Sequence, residues 1–266
     1  MNPEVYLGSD PETDPDHSPV IEVRNLRLQY GHKLIQKDLN FLVRKGDVFV
    51  IMGGSGCGKS TLLKHMIGLY SPVQGQILYH GEDYFSASDA DQLSMRTRWG
   101  VTYQSGALFS AMTLAENIAL PMQQYTGWSK AEISDRVAYK LALVGLAGYE
   151  DYYPSEISGG MNKRAGLARA LALDPGILFF DEPSAGLDPL SAGRLDELIL
   201  ELSQSSGATV VIVTHELASI FAIGNNGVFL DAQSRTQLDT GAPSYMLRHS
   251  KQPVVREFLS RGEVSS

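Results

Sequence analysis

Cysteine is almost missing from this 266-residue chain: Cys57 is the only one, so no internal disulfide can staple the fold. A single thiol suits a reducing compartment. Long apolar runs are missing too. No stretch approaches the roughly 20 apolar residues that span a bilayer, and the N-terminus lacks the basic-then-apolar order of a signal peptide. The chain is therefore expected to stay in the cytosol and to meet a membrane only through a partner. Basic charge is in deficit, with 22 Lys and Arg against 30 Asp and Glu. Nucleic acid is not expected as a partner, because phosphate backbones are bound through clustered Lys and Arg. What is present, 43% apolar and 20% charged residues, suffices for one large α/β domain or a core with an inserted subdomain.

Residues 1–19 hold four prolines, five acidic residues and no Lys or Arg, and read as a flexible acidic tail. Apolar/polar alternation from Ile21 to Leu28 marks a half-exposed strand that turns at Tyr30-Gly31. Val48 to Met52 is a continuous apolar run of strand length, followed by glycines and then by helical spacing from Ser60 to Ile67. Further buried strands are expected at Ile177–Phe180 and Thr209–Val213, each followed by polar residues at its C-terminal end. The core thus reads as an open, mostly parallel sheet within a domain over residues 20–240. Between the strands, residues 105–174 contain helix-like segments at Leu114–Met122, Lys130–Val144 and Gly160–Leu173, enough for a helical subdomain. Gly241-Ala242-Pro243 breaks the chain before a C-terminal appendage, residues 241–266, whose packing the sequence leaves open.

Gly53, Gly54, Ser55, Gly56, Cys57, Gly58, Lys59 and Ser60 fit G-x-x-x-x-G-K-[ST], between an expected strand and an expected helix. Glycines let consecutive backbone N–H groups converge on phosphate oxygens, and the positive helix end favours the anion. Lys59 is expected to reach the β- and γ-phosphates, and the Ser60 hydroxyl to bind Mg²⁺, which takes hard oxygen donors. A bulky reagent on Cys57 is expected to block such a loop. At the end of a buried strand, Asp181 is expected to hold Mg²⁺ and Glu182 to polarise the attacking water. His215, after the next strand, is placed to contact a γ-phosphate oxygen or that water. Gln104, following the strand-like Trp99–Tyr103, offers a carbonyl oxygen to Mg²⁺ or water. Ser158, Gly159 and Gly160 open a helical run and present free N–H groups, a second anion site or a plain Ser N-cap with glycines. Two phosphate-directed helix ends with one Lys-bearing loop suggest that two copies share each nucleotide.

The order of these motifs resembles the ATPase domain of ABC transporters, over Ile21 to about Asp231. Gly53 to Thr61 looks like Walker A, Gln104 like the Q-loop, and Ile157 to Met161 like the signature. Ile177 to Asp181 looks like Walker B with Glu182 as the catalytic glutamate, Ser184 to Asp188 like the D-loop, and His215 like the switch histidine. The resemblance implies a P-loop NTPase with a mostly parallel core sheet, an antiparallel β subdomain and an inserted helical subdomain. It also implies Tyr30 stacking on adenine, and a head-to-tail dimer in which Ser158, Gly159 and Gly160 face the γ-phosphate held by the other copy's Lys59. Met161 departs from the usual signature Gln and cannot make that side chain's hydrogen bonds.

Ser158-Gly159-Gly160-Met161, with Lys163-Arg164-Ala165 and Gln104-Ser105-Gly106-Ala107-Leu108-Phe109, is similar to the Mce-associated, Mla-type lipid-transport ATPases. That similarity implies an ATP- and Mg²⁺-dependent homodimer on the cytoplasmic face of a bacterial inner membrane, bound to two integral membrane permease subunits. It further implies an Mce-domain lipid-binding protein, often with a small STAS-like cytoplasmic subunit. Ala107, Leu108, Phe109 and Met112 are costly to expose together and suit either a groove for a permease helix or packing within the helical subdomain.

Overall fold

The structure, a computed structural model, describes residues 19–104 and 106–261. The tail expected before Pro19, and Ser105, lie outside the described residues. Two sheets organise the chain. An antiparallel sheet has the order β2-β1-β4-β5, built from β1 (Pro19–Tyr30), β2 (Lys33–Arg44), β4 (Gln74–Tyr79) and β5 (Glu82–Asp83).

The second sheet has six strands: β10 (Gln237–Thr240), β9 (Asn226–Leu230), β3 (Val48–Gly53), β8 (Thr209–Val213), β7 (Ile177–Asp181) and β6 (Trp99–Thr102), in that order. Neighbours from β9 to β6 run parallel, and β10 pairs antiparallel at the edge. Every residue of β3 and β8 is buried, the pattern of strands covered on both faces. Alternation along β3 divides the core. Val48, Val50 and Met52 face one apolar cluster, while Phe49 and Ile51 face the other. The second cluster lies between the sheets, where Phe41 of β2 stacks on Phe49 with centroids 5.3 Å apart, a contact worth about 0.5–1.5 kcal/mol beyond area burial.

The inserted subdomain contains α3 (Leu114–Tyr125), α4 (Lys130–Leu143) and α5 (Gly159–Ala170). Reciprocal capping by Thr113 with Glu116, and by Ser129 with Glu132, starts the first two helices. Fully buried Asn117 accepts from Phe109 N at 2.7 Å and donates to the carbonyls of Phe109, Met112 and Thr113. The loop entering α3 is therefore held rigidly although Phe109 is exposed.

On one face of the parallel sheet α1 (Lys59–Met66) buries Leu62, Leu63 and Met66 in the cluster between the sheets; α6 (Pro189–Ser206) and α7 (Leu217–Ile223) pack into the other cluster, and α2 (Asp89–Arg96) follows the antiparallel sheet in the chain. The C-terminal segment forms α8 (Pro243–His249) and α9 (Pro253–Ser260). Met246, Val255 and Leu259 are buried in the same cluster as Val50 and Phe180, so this segment completes the core. No helix among the described residues is long and apolar enough to cross a membrane.

Candidate functional site

The phosphate loop leaves β3 at Gly53, whose φ of +140° and position forbid a side chain: a Cβ there meets the Leu230 carbonyl oxygen at 2.2 Å. At Gly58, which starts α1 with φ +102°, a Cβ meets Ile35 Cγ2 at 2.7 Å. Lys59 Nζ folds over the loop and donates to the carbonyls of Gly53 (2.9 Å) and Gly54 (3.2 Å). Beneath the loop, fully buried Gln36 donates through Nε2 to the carbonyls of Cys57 (2.6 Å) and Asp231 (2.9 Å). One amide thereby ties β2, the loop and the end of β9 together.

Cys57 points inward. It is 1% exposed, and a Cβ on Gly53 comes within 2.8 Å of its Sγ. Burial also pushes its thiol above the usual range. Cys57 is not among the residues that line the phosphate cavity, and a reagent reaches its buried thiol only when the loop opens.

A cavity of about 730 Å³ opens over the loop, lined by Gly53, Gly54, Ser55, Gly56, Gly58, Lys59, Ser60 and Thr61 and closed by Glu182 and His215. Ser60 Oγ donates to Asp181 Oδ1 at 2.9 Å, placing a hydroxyl and a carboxylate at the start of α1 and the end of β7. These are hard oxygen donors of the kind that would suit Mg²⁺. Glu182 has a φ of +51°, a strained conformation for a non-glycine residue that costs about 1–3 kcal/mol. Its N–H donates to the Val213 carbonyl at 2.8 Å, which fixes it across β7 and β8.

His215 Nδ1 lies 2.8 Å from both carboxylate oxygens of Glu182, with hydrogen-bond geometry met at Oε1. Oε2 is buried without a hydrogen-bond partner among the described residues. Glu182 thus stands on the cavity wall with a strained backbone and its carboxylate held by His215.

Two expected residues stand elsewhere. Tyr30 does not line the cavity; it is exposed and meets Tyr70 edge-on at 5.4 Å. Gln104 lies exposed on a turn outside the cavity wall. The chain just after it is clamped to α5, where Arg169 Nη1 donates to the Ala107 carbonyl at 2.8 Å and a Cβ on Gly166 meets the Gly106 oxygen at 2.8 Å.

Ser158 is the N-cap of α5, its Oγ accepting from Met161 N at 3.3 Å. With Gly160 it lines a separate groove of about 460 Å³, and Gly159 lies on a smaller one. One chain therefore does not bring the Ser158 group to Lys59. From α5, Lys163 Nζ donates to the Pro183 carbonyl at 2.6 Å, gripping the residue after Glu182. Burial pushes the Lys163 ammonium below its ordinary pKa. Sequence reasoning did not reach Gln36, Ile35, Leu217, Phe258 or Arg261, the last four of which line the cavity. No local signal marks them; they arrive through tertiary packing.

A family model described as ABC transporter matches residues 36–185. The chain is 43% identical over 240 residues to the probable ribonucleotide transport ATP-binding protein mkl of Mycobacterium tuberculosis, covering 90% of this chain and 66% of that protein. It is 42% identical over 206 residues to the intermembrane phospholipid transport system ATP-binding protein MlaF of Haemophilus influenzae, covering 77% of this chain and 78% of the relative. The dimeric structure of MJ0796, a bacterial ABC transporter cassette, superposes with a TM-score of 0.75 at 28% identity, over 84% of this chain and 98% of the other. A family match over most of the catalytic core, on a parallel sheet that carries the phosphate loop and the Asp181-Glu182 pair at its strand ends, establishes that this chain belongs to the ABC transporter family.

Proposed function

We propose that this chain is the ATP-binding and ATP-hydrolysing subunit of a bacterial ABC transporter that powers phospholipid transport between the inner membrane and the outer envelope. The observation that carries the catalytic part is the single cavity bounded by Lys59, Ser60, Glu182 and His215, with Asp181 bonded to Ser60. Loop N–H groups and Lys59 bind the phosphates. Ser60 and Asp181 would hold Mg²⁺, which would supply positive charge beside the phosphates. Glu182 orients the attacking water and accepts its proton, and His215 fixes the Glu182 carboxylate.

A homodimer is supported by the separation of Ser158 and Gly160 from the Lys59 cavity within one chain. A second copy brings that helix end to the γ-phosphate, and closure and reopening transmit force. Two integral membrane permease subunits are the partners of the helical subdomain. In support, a groove of about 1040 Å³ runs along α3 and α4, lined by Met112, Leu120, Trp128 and Ile133, and exposed Phe109 stands on the loop that enters α3. Such a groove suits an apolar helix.

The lipid assignment rests on the Gln104–Phe109 run, the Ser-Gly-Gly-Met signature and the likeness to MlaF. An Mce-domain lipid-binding protein and a small STAS-like subunit complete the proposed complex at the cytoplasmic face of the inner membrane. A second reading, transport of another solute, is favoured by the relative named for ribonucleotide transport. Purifying the chain with its membrane partner and identifying bound molecules by mass spectrometry separates the two. Phospholipid is expected; ribonucleotide or a soluble solute-binding protein in its place overturns the lipid assignment.

A further inference from the structure

The C-terminal helix α9 reaches the wall of the nucleotide cavity, where Phe258 and Arg261 stand with Lys59, Glu182 and His215. The helix is anchored firmly. Val255 and Leu259 are fully buried in the main core. The Phe258 ring meets Phe229 edge-on at 5.2 Å, and Phe229 precedes Leu230, the strand partner of Gly53. That contact sets α9 beside the point where β3 passes into the phosphate loop. Arg261 lies three positions beyond Phe258, on the same side of the helix.

The charge at this position has little else to do. Among the described residues its ionic partner is Glu257, at 3.0 Å, with both side chains about 70% exposed. Exposed pairs of this spacing hold weakly. A guanidinium on phosphate makes charge-assisted bonds and can bind two oxygens at once. Lys59, the other cation of the cavity wall, is already shared between two loop carbonyls.

We propose that Arg261 is a nucleotide-binding residue: its guanidinium takes the terminal phosphate of a bound triphosphate, and Phe258 fixes the helix that carries it. The C-terminal helix then distinguishes ATP from ADP, because Arg261 lines the same cavity as Glu182 and His215, which mark its γ-phosphate end. This inference rests on the ATP-hydrolysing reading of the same cavity.

The test is calorimetric titration of the full-length protein with ATP and with ADP, for the natural sequence, Arg261→Gln, Arg261→Lys, Glu257→Gln and Lys59→Ala. Arg261→Gln is expected to weaken ATP binding about tenfold, the loss of one charge-assisted contact, and to leave ADP binding nearly unchanged. Arg261→Lys restores part of the loss, and Glu257→Gln, which frees the guanidinium, does not weaken ATP binding. Unchanged ATP affinity in Arg261→Gln, or equal losses for ATP and ADP, overturns the proposal. If Lys59→Ala binds ATP as well as the natural sequence does, the reading of the phosphate loop itself fails, whatever Arg261 does.

Discussion

His215 and Glu182, 33 positions apart in the chain, meet at 2.8 Å through the imidazole Nδ1. In the tautomer that carries its proton on Nδ1, the imidazole donates this bond to the carboxylate. The imidazole anchors the Glu182 carboxylate at the cavity wall. Glu182→Gln is therefore expected to lower ATP turnover at least about a hundredfold, the usual contribution of a positioned base, with ATP affinity preserved. Steady-state hydrolysis and ATP titration check it; turnover at the natural rate contradicts the role.

Ser60, on the cavity wall, bonds Asp181 at the end of β7. Asp181→Asn keeps the shape but removes the anionic ligand. The variant is expected to need a much higher Mg²⁺ concentration for half-maximal hydrolysis, with metal-free nucleotide binding little changed. A Mg²⁺ titration of activity at saturating ATP measures this, and an unchanged midpoint removes Asp181 from the metal site.

Gln36 is the support that local sequence does not reveal. Gln36→Leu leaves the buried carbonyl of Cys57 and the half-buried carbonyl of Asp231 without this donor, while it also removes the unpartnered Oε1. The net loss of stability is expected at about 1–3 kcal/mol, with a raised KM for ATP because the loop loses its floor. Denaturant unfolding and ATPase kinetics on the same preparation read both effects.

Much of the fold was legible because the parallel strands are continuous apolar runs. Val48–Met52, Ile177–Phe180 and Thr209–Val213 emerge from pattern alone, and the three helices of the inserted subdomain fall within a few residues of their expected bounds. β2 was not legible, since Lys33, Gln36, Lys37, Asp38 and Asn40 interrupt its alternation and Gln36 is buried for the sake of a distant loop. The α6 helix does carry local signals: Asp188 caps it, Pro189 opens it and Gly207 closes it. In the sequence Asp188 reads as the end of the Ser184–Asp188 motif, which masks its role as a helix cap. Within the site, residues on the phosphate loop and at strand ends follow from local spacing. The walls supplied by Ile35, Leu217, Phe258 and Arg261 depend on which distant segments pack together, and no window of sequence contains that information.

Cys57 gives a prediction with a definite sign. Because burial holds the thiol above its ordinary pKa, little thiolate is present at neutral pH, and labelling of the native protein is expected to be slow and to accelerate as pH rises. Mild denaturant accelerates it further by opening the loop. Fast stoichiometric labelling at neutral pH contradicts the buried placement.

The central claim is that each nucleotide site is completed by a second copy. Its most direct measurement is sedimentation of Glu182→Gln with saturating Mg²⁺-ATP, alone and combined with Ser158→Arg. The single variant is expected to sediment as a dimer and to return to monomer when ATP is removed. The double variant is expected to bind ATP yet remain monomeric, because the arginine obstructs the helix end that should face the partner's γ-phosphate. An ATP-saturated single variant that stays monomeric, or a double variant that dimerises as readily, contradicts the shared site.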